Sequence, residues 1–179
     1  SVSDPSVPVG PHWLVASMMD VTALGGFTVL TIITVIAIGY LAIIRKTITA
    51  VFLIAAIAGG AVVSSLLKLG FARSRPEIVA HFVTVNSSSF PSGHAMNSAV
   101  AYLTIGTLLA RTQKDRSVRI YLLSVAIALT LAVGFSRVYL GVHWPSDVIA
   151  GWCLGASWAA LCSLIARSLQ RRNYLEDPS

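Results

Sequence analysis

Two histidines, an aspartate and a few arginines and lysines carry most of the chemistry this sequence could perform. In "SSSFPSGHAM" (87–96), Pro91, Ser92, Gly93 and His94 stand where an uncharged apolar run begins. "SRVYLGVHWPSD" (136–147) holds Arg137, His143 and Asp147, and "KLGFARSRP" (68–76) holds Lys68, Arg73 and Arg75. Lys68, Arg75 and Arg137 would repel one another in a partly dehydrated cleft, where insertion scales put each charge at about 3 kcal/mol. A phosphate dianion relieves that repulsion, and the planar fork of arginine suits its oxygens. A helix opening at PSGH adds N–H groups that have no carbonyl within the helix and can face an anion. Ser92 offers a hydroxyl donor, and Gly93 lets the backbone approach closely. Arg73 is read as a snorkelling surface cation.

His143 and Asp147 are four residues apart, with Pro145 suited to a first helical position. The carboxylate is therefore expected to fold back on the ring, fix its tautomer and leave the other nitrogen as nucleophile or base. Histidine is a known covalent nucleophile. His94, beside the proposed anion cradle, is placed to protonate a leaving oxygen and later to activate water. His12 and His81 have no such partners and are read as solvated. No metal is expected. Of the seven carboxylates, Asp115, Glu176 and Asp177 fall on one face of the chain and Asp4, Asp20, Glu77 and Asp147 on the other. Neither set forms the oxygen-ligand cluster of a two-metal site.

These residues need elements to hold them. The chain has 179 residues, 55% hydrophobic and 11% charged, against about 25% charged in soluble domains. Several apolar runs approach the roughly 20 residues that span a bilayer. The expectation is an all-α, polytopic membrane helix bundle forming one domain. Five spanning runs are expected at about Phe27–Ile44, Thr47–Leu67, Ala95–Ala110, Ile120–Phe135 and Asp147–Ala166. Ahead of them, Trp13, Leu14, Met18 and Val21 have the spacing of a short interfacial helix within an external segment, 1–26. Active-site loops are expected at 68–94 and 136–147, and a cytoplasmic tail at 168–179. Gly151, Gly155 and Ala159, four apart, and the pair Gly59 and Gly60 read as close helix-packing positions. Cys153 and Cys162 read as packing residues too.

Nine of the thirteen Lys and Arg fall on one face: Arg45, Lys46, Arg111, Lys114, Arg116, Arg119, Arg167, Arg171 and Arg172. The positive-inside rule assigns that face to the cytoplasm. The net charge of +6 thus reports orientation rather than a nucleic-acid partner. All three polar clusters then lie outside, each at a helix end. The N-terminal segment also lies outside, so one further spanning segment is expected upstream of Ser1.

Lys68, six intervening residues and Arg75-Pro76, then Pro91-Ser92-Gly93-His94, then Ser136-Arg137 with His143 and Asp147, resemble the tripartite signature of the type-2 phosphatidic acid phosphatase superfamily. The motifs cover Lys68 to Asp147. The resemblance implies a cofactor-free membrane phosphatase acting on a lipid phosphate or diphosphate through a phosphohistidine. It assigns His143 as nucleophile, Asp147 as its partner and His94 as acid. Lys68, Arg75, Ser92, Gly93 and Arg137 would hold the phosphate. Members commonly carry one more spanning helix than the five counted here. The setting implied is a bacterial inner membrane with the site facing the periplasm.

Other readings fit less of the sequence. A lipid binder or transporter gives the His143–Asp147 spacing no purpose. A serine hydrolase using Ser92 or Ser136 gives the cations none. A haloperoxidase would place vanadate in the same cradle, but relatives of that kind are typically soluble and larger. A phosphotransferase would use the same site. Phosphatidylglycerophosphate, undecaprenyl diphosphate, phosphatidic acid and a lipid A phosphate all remain open as substrates, as does the oligomeric state.

Overall fold

A computed structural model describes residues 10–70, 89–172 and 174–175. The described residues form six helices: α1 (His12–Ala23), α2 (Phe27–Ile43), α3 (Thr47–Gly70), α4 (Gly93–Arg111), α5 (Arg116–Tyr139) and α6 (Pro145–Arg171). No strand occurs among them. Each apolar run expected from the sequence is a helix, with ends shifted by a few residues. The helix bounds have local causes. Gly25 and Gly26 separate α1 from α2. After α2, Arg45 takes a left-handed φ of 60°. Its N–H donates to Ala42 O at 3.0 Å, and the Lys46 N–H donates to Leu41 O at 2.8 Å, which closes the helix end. Asp115 caps α5 by accepting from the Ser117 N–H at 2.7 Å.

The centre of the bundle is α4, which packs mainly on α5 and α6 and less extensively on α3. Small residues set these approaches. A Cβ on Gly151 would lie 2.9 Å from Ser92 O, and one on Gly155 2.7 Å from Met96 O, so α6 rides against the backbone of α4. Gly59 and Gly60 receive the indole of Trp158, whose Nε1 donates to Ala56 O at 2.8 Å. The small-residue positions read from the sequence are therefore packing positions. Of the two cysteines, Cys162 is buried and Cys153 exposed.

Among the described residues, three helices, α3, α5 and α6, are each long and apolar enough to cross a membrane. The pair α1 and α2, bent by 52° at its break, makes a fourth if it is one broken span. Five spanning runs are expected from the sequence; of these, α2 reaches the length only together with α1, and α4 falls short by its polar content. Its stretch includes His94, Asn97, Ser98, Tyr102, Thr104 and Thr107. Most of its surface meets other helices, so its polar groups are screened from lipid. By contrast, Phe27, Ile36, Val51, Val62, Ile127 and Leu164 of the outer helices are exposed, as a lipid-facing surface requires. In α1, Leu14, Met18 and Val21 are half-buried, while Trp13 points off that face and is exposed. The helix packs on α5, and the Tyr102 hydroxyl pins the bend by donating to Leu24 O at 2.7 Å.

Candidate active site

The polar clusters meet at one end of the bundle, where α3 and α5 end and α4 and α6 begin. The turn after α5 sets the position of His143. Gly141 has φ 68°, a conformation that favours glycine. Its N–H donates to Val138 O at 3.0 Å, and the Val142 N–H donates to Arg137 O at 3.2 Å. This closes α5 and delivers His143, 4% exposed, just ahead of Pro145 at the first turn of α6. Asp147 is fully buried. Its Oδ2 accepts from the Trp144 N–H at 3.2 Å, so the carboxylate caps the start of α6.

Ser89 completes this group. Its hydroxyl donates to Asp147 Oδ2 at 2.6 Å and lies 3.4 Å from His143 Nδ1. The separation between Nδ1 and Oδ2 is 3.7 Å, within ion-pair range but longer than a good hydrogen bond. The spacing had pointed to this carboxylate folding directly onto the ring. Oδ2 does face the ring within ion-pair range while also accepting from the helix start, and the serine oxygen sits beside both groups.

The α4 side is joined to this group through the backbone. The Ser92 N–H donates to Asp147 O at 3.0 Å. Ser92 is buried, and its Oγ has no hydrogen-bond partner among the described residues. Gly93 opens α4, placing the positive end of the helix dipole here. A Cβ at Gly93 would lie 2.5 Å from Lys68 Nζ, so the ammonium at the end of α3 rests on the PSGH turn. His94 is half-buried, and its ring lies 3.3 Å from where a Cβ on Gly25 would sit. Arg137 Nη1 donates to the Thr22 hydroxyl of α1 at 3.1 Å. Arg75, Arg73 and His81 lie outside the described residues. Ser136 is buried with its hydroxyl donating to Val133 O at 2.7 Å, and His12 is exposed. Among the described residues, no three His, Cys, Asp or Glu gather closely enough to hold a metal ion.

The PAP2 superfamily model matches residues 49–171, spanning the ordered motifs and every helix from α3 to α6. This chain belongs to the PAP2 superfamily. Among PAP2 proteins it is similar to phosphatidylglycerophosphatase B of Bacillus subtilis, 33% identical over 87% of this chain and 76% of that protein. It is also similar to an undecaprenyl-diphosphatase of Sulfolobus acidocaldarius, 42% identical over 42% of this chain and 32% of that protein. The crystal structure described as the first transmembrane PAP2 type phosphatidylglycerolphosphate phosphatase from Bacillus subtilis superposes with a TM-score of 0.84. It is 31% identical, with 91% of this chain and 81% of that chain covered. With its lipid-facing helices and these membrane PAP2 neighbours, the chain is an integral membrane protein.

Sequence reasoning missed Ser89, Thr22 and Gly25. Ser89 lies in "SSSF", where three neighbouring serines look alike. Only its place beside Asp147, 58 residues on, distinguishes it. Nothing local marks Thr22, whose partner is 115 residues away.

Proposed function

We propose that this chain is a membrane lipid phosphatase that cleaves a phosphate monoester or diphosphate through a phosphohistidine on His143. The observation that carries the reading is the buried Ser89–His143–Asp147 group docked on the PSGH turn by the Ser92 N–H. With Nδ1 turned toward Ser89 and Asp147, Nε2 keeps its lone pair for phosphorus. In the first step the Nε2–P bond forms, the bond from phosphorus to the leaving oxygen breaks, and His94 gives that oxygen a proton. In the second step water attacks phosphorus and passes a proton to His94. The P–N bond breaks and free phosphate leaves. Lys68, Arg75 and Arg137, with the Ser92 hydroxyl and the backbone at Gly93, hold the phosphoryl oxygens as charge builds on them.

The Bacillus relative, matched over most of this chain, makes phosphatidylglycerophosphate the first substrate to test. The archaeal undecaprenyl-diphosphatase makes a polyprenyl diphosphate the second. Arginines gathered at the end opposite the histidines support a site on the outer face of a bacterial plasma membrane. They also support a single domain in which α4 crosses as a shielded span. Phosphate release should be measured from phosphatidylglycerophosphate, undecaprenyl diphosphate, phosphatidic acid and a lipid A phosphate, in detergent with EDTA. Release from at least one is expected. Release that occurs only when a divalent metal is restored would overturn the histidine mechanism.

A further inference from the structure

At the end of the bundle away from the histidines, α4 ends, α5 begins and α6 ends. Between them lies a cavity of about 380 Å³ whose lining includes Arg111, Arg116, Arg119 and Arg167. Among the described residues, no carboxylate lines it. Asp115, next in sequence to Arg116, accepts from the Ser117 N–H. Arg111 is not a loose surface cation. Its Nη1 donates to Gln170 Oε1 at 3.0 Å, and its Nη2 donates to Ser163 O at 2.7 Å and to Ser163 Oγ at 2.8 Å. All three acceptors are neutral, so these bonds hold the guanidinium in place and leave its charge. Arg167 lies near enough for its charge to act on Arg111. Four like charges around one cavity repel, and an anion removes that cost.

The lining is also layered. The arginines sit within the last or first turns of the helices. Thr107, Leu123 and Ser163 lie four residues deeper than Arg111, Arg119 and Arg167, roughly 6 Å along the axes, and Ile120 directly follows Arg119. Ile120 is largely exposed, giving apolar surface beside the cations that a small soluble anion would not use. The 19 residues of α4 separate this layer from the PSGH turn. That is about 28 Å of helix, close to the thickness of a bilayer's hydrocarbon core.

We propose that this cavity binds the phosphate of an anionic phospholipid from the leaflet opposite the histidines. The guanidinium groups take the headgroup phosphate, and the first acyl carbons lie against Ile120 and Leu123. The site is separate from the phosphatase reading and stands or falls without it. The probe is phosphatidylglycerol, a phosphodiester with no phosphomonoester for the other end to cleave.

The full chain is placed in phosphatidylcholine nanodiscs containing a graded fraction of phosphatidylglycerol, and co-retained lipid is counted by native mass spectrometry. One phosphatidylglycerol per chain is expected. R116Q/R119Q should weaken retention roughly fivefold per arginine, on the order of 25-fold for the pair. R167Q should weaken it roughly fivefold and serves if the double variant does not fold. Glycerophosphoglycerol, the same headgroup without acyl chains, should compete poorly. Wild-type retention by the folded variants overturns the site. Competition by the headgroup as strong as by the lipid overturns the lipid assignment in favour of a soluble phosphate anion.

Discussion

The two ends of α4 carry positive charge for different ends, and their surroundings show it. At the Gly93 end, Lys68 lies on the backbone of the PSGH turn, Arg137 is tied to Thr22 of α1, and a buried carboxylate stands beside a buried imidazole. At the Arg111 end, four arginines border one cavity with no lining carboxylate among the described residues, and Arg111 is anchored through neutral acceptors. The difference lies in how position is held. Near the histidines, contacts come from distant parts of the chain and fix groups singly, as a reaction that tolerates little misplacement requires. Around the arginines, most of the charge sits on the ends of long, adaptable side chains, which suits orientation in the membrane and an anion held by summed charge.

The sharpest break in this contrast is His143→Ala. Turnover should fall on the order of 10⁴-fold, as when a nucleophile is removed from a group acting as a unit. Binding of a non-hydrolysed lipid phosphonate should persist, since the cradle is left in place. Phosphate release and phosphonate retention measured on one preparation test this, and retained hydrolysis removes His143 as nucleophile. A smaller effect is expected at Ser89→Ala, which strips a 2.6 Å hydrogen bond from a buried carboxylate. About 1.4 kcal/mol of lost positioning corresponds to a tenfold lower kcat. The pH profile of kcat should shift, and Ser89→Thr, which keeps the hydroxyl, should recover part of the rate. An unchanged profile would leave Ser89 a purely structural residue. Least affected in chemistry, and informative about the other end, is Arg111→Gln. It removes the hydrogen bonds joining α4 to α6 at Gln170 and Ser163 and should cost about 1–3 kcal/mol. The thermal midpoint in detergent reads this, and an unchanged midpoint would mean the clamp adds nothing to the fold.

How much of this was legible in the sequence depended on range. The five apolar runs became helices because a hydrophobic stretch between polar or Gly breaks is a local property. The tripartite spacing of Lys68, Pro91–His94 and Arg137–Asp147 singled out the groups gathered here, apart from Arg75, which lies beyond the described residues. Membrane span was less legible. Hydropathy ranks residues by composition, so the polar side chains of α4 lower its score, and only the fold shows that its neighbours cover them. The sequence by itself determined which helices exist, which end of the bundle is basic, and which residue types stand ready at the other. Tertiary structure decided that Ser89 stands beside Asp147 and His143, that Thr22 receives Arg137, and that Gly25 makes room for the His94 ring. Each of those depends on two segments, tens of residues apart, meeting within a few ångströms. That meeting is set by how Gly151, Gly155 and Gly60 let whole helices approach, and no local pattern records it.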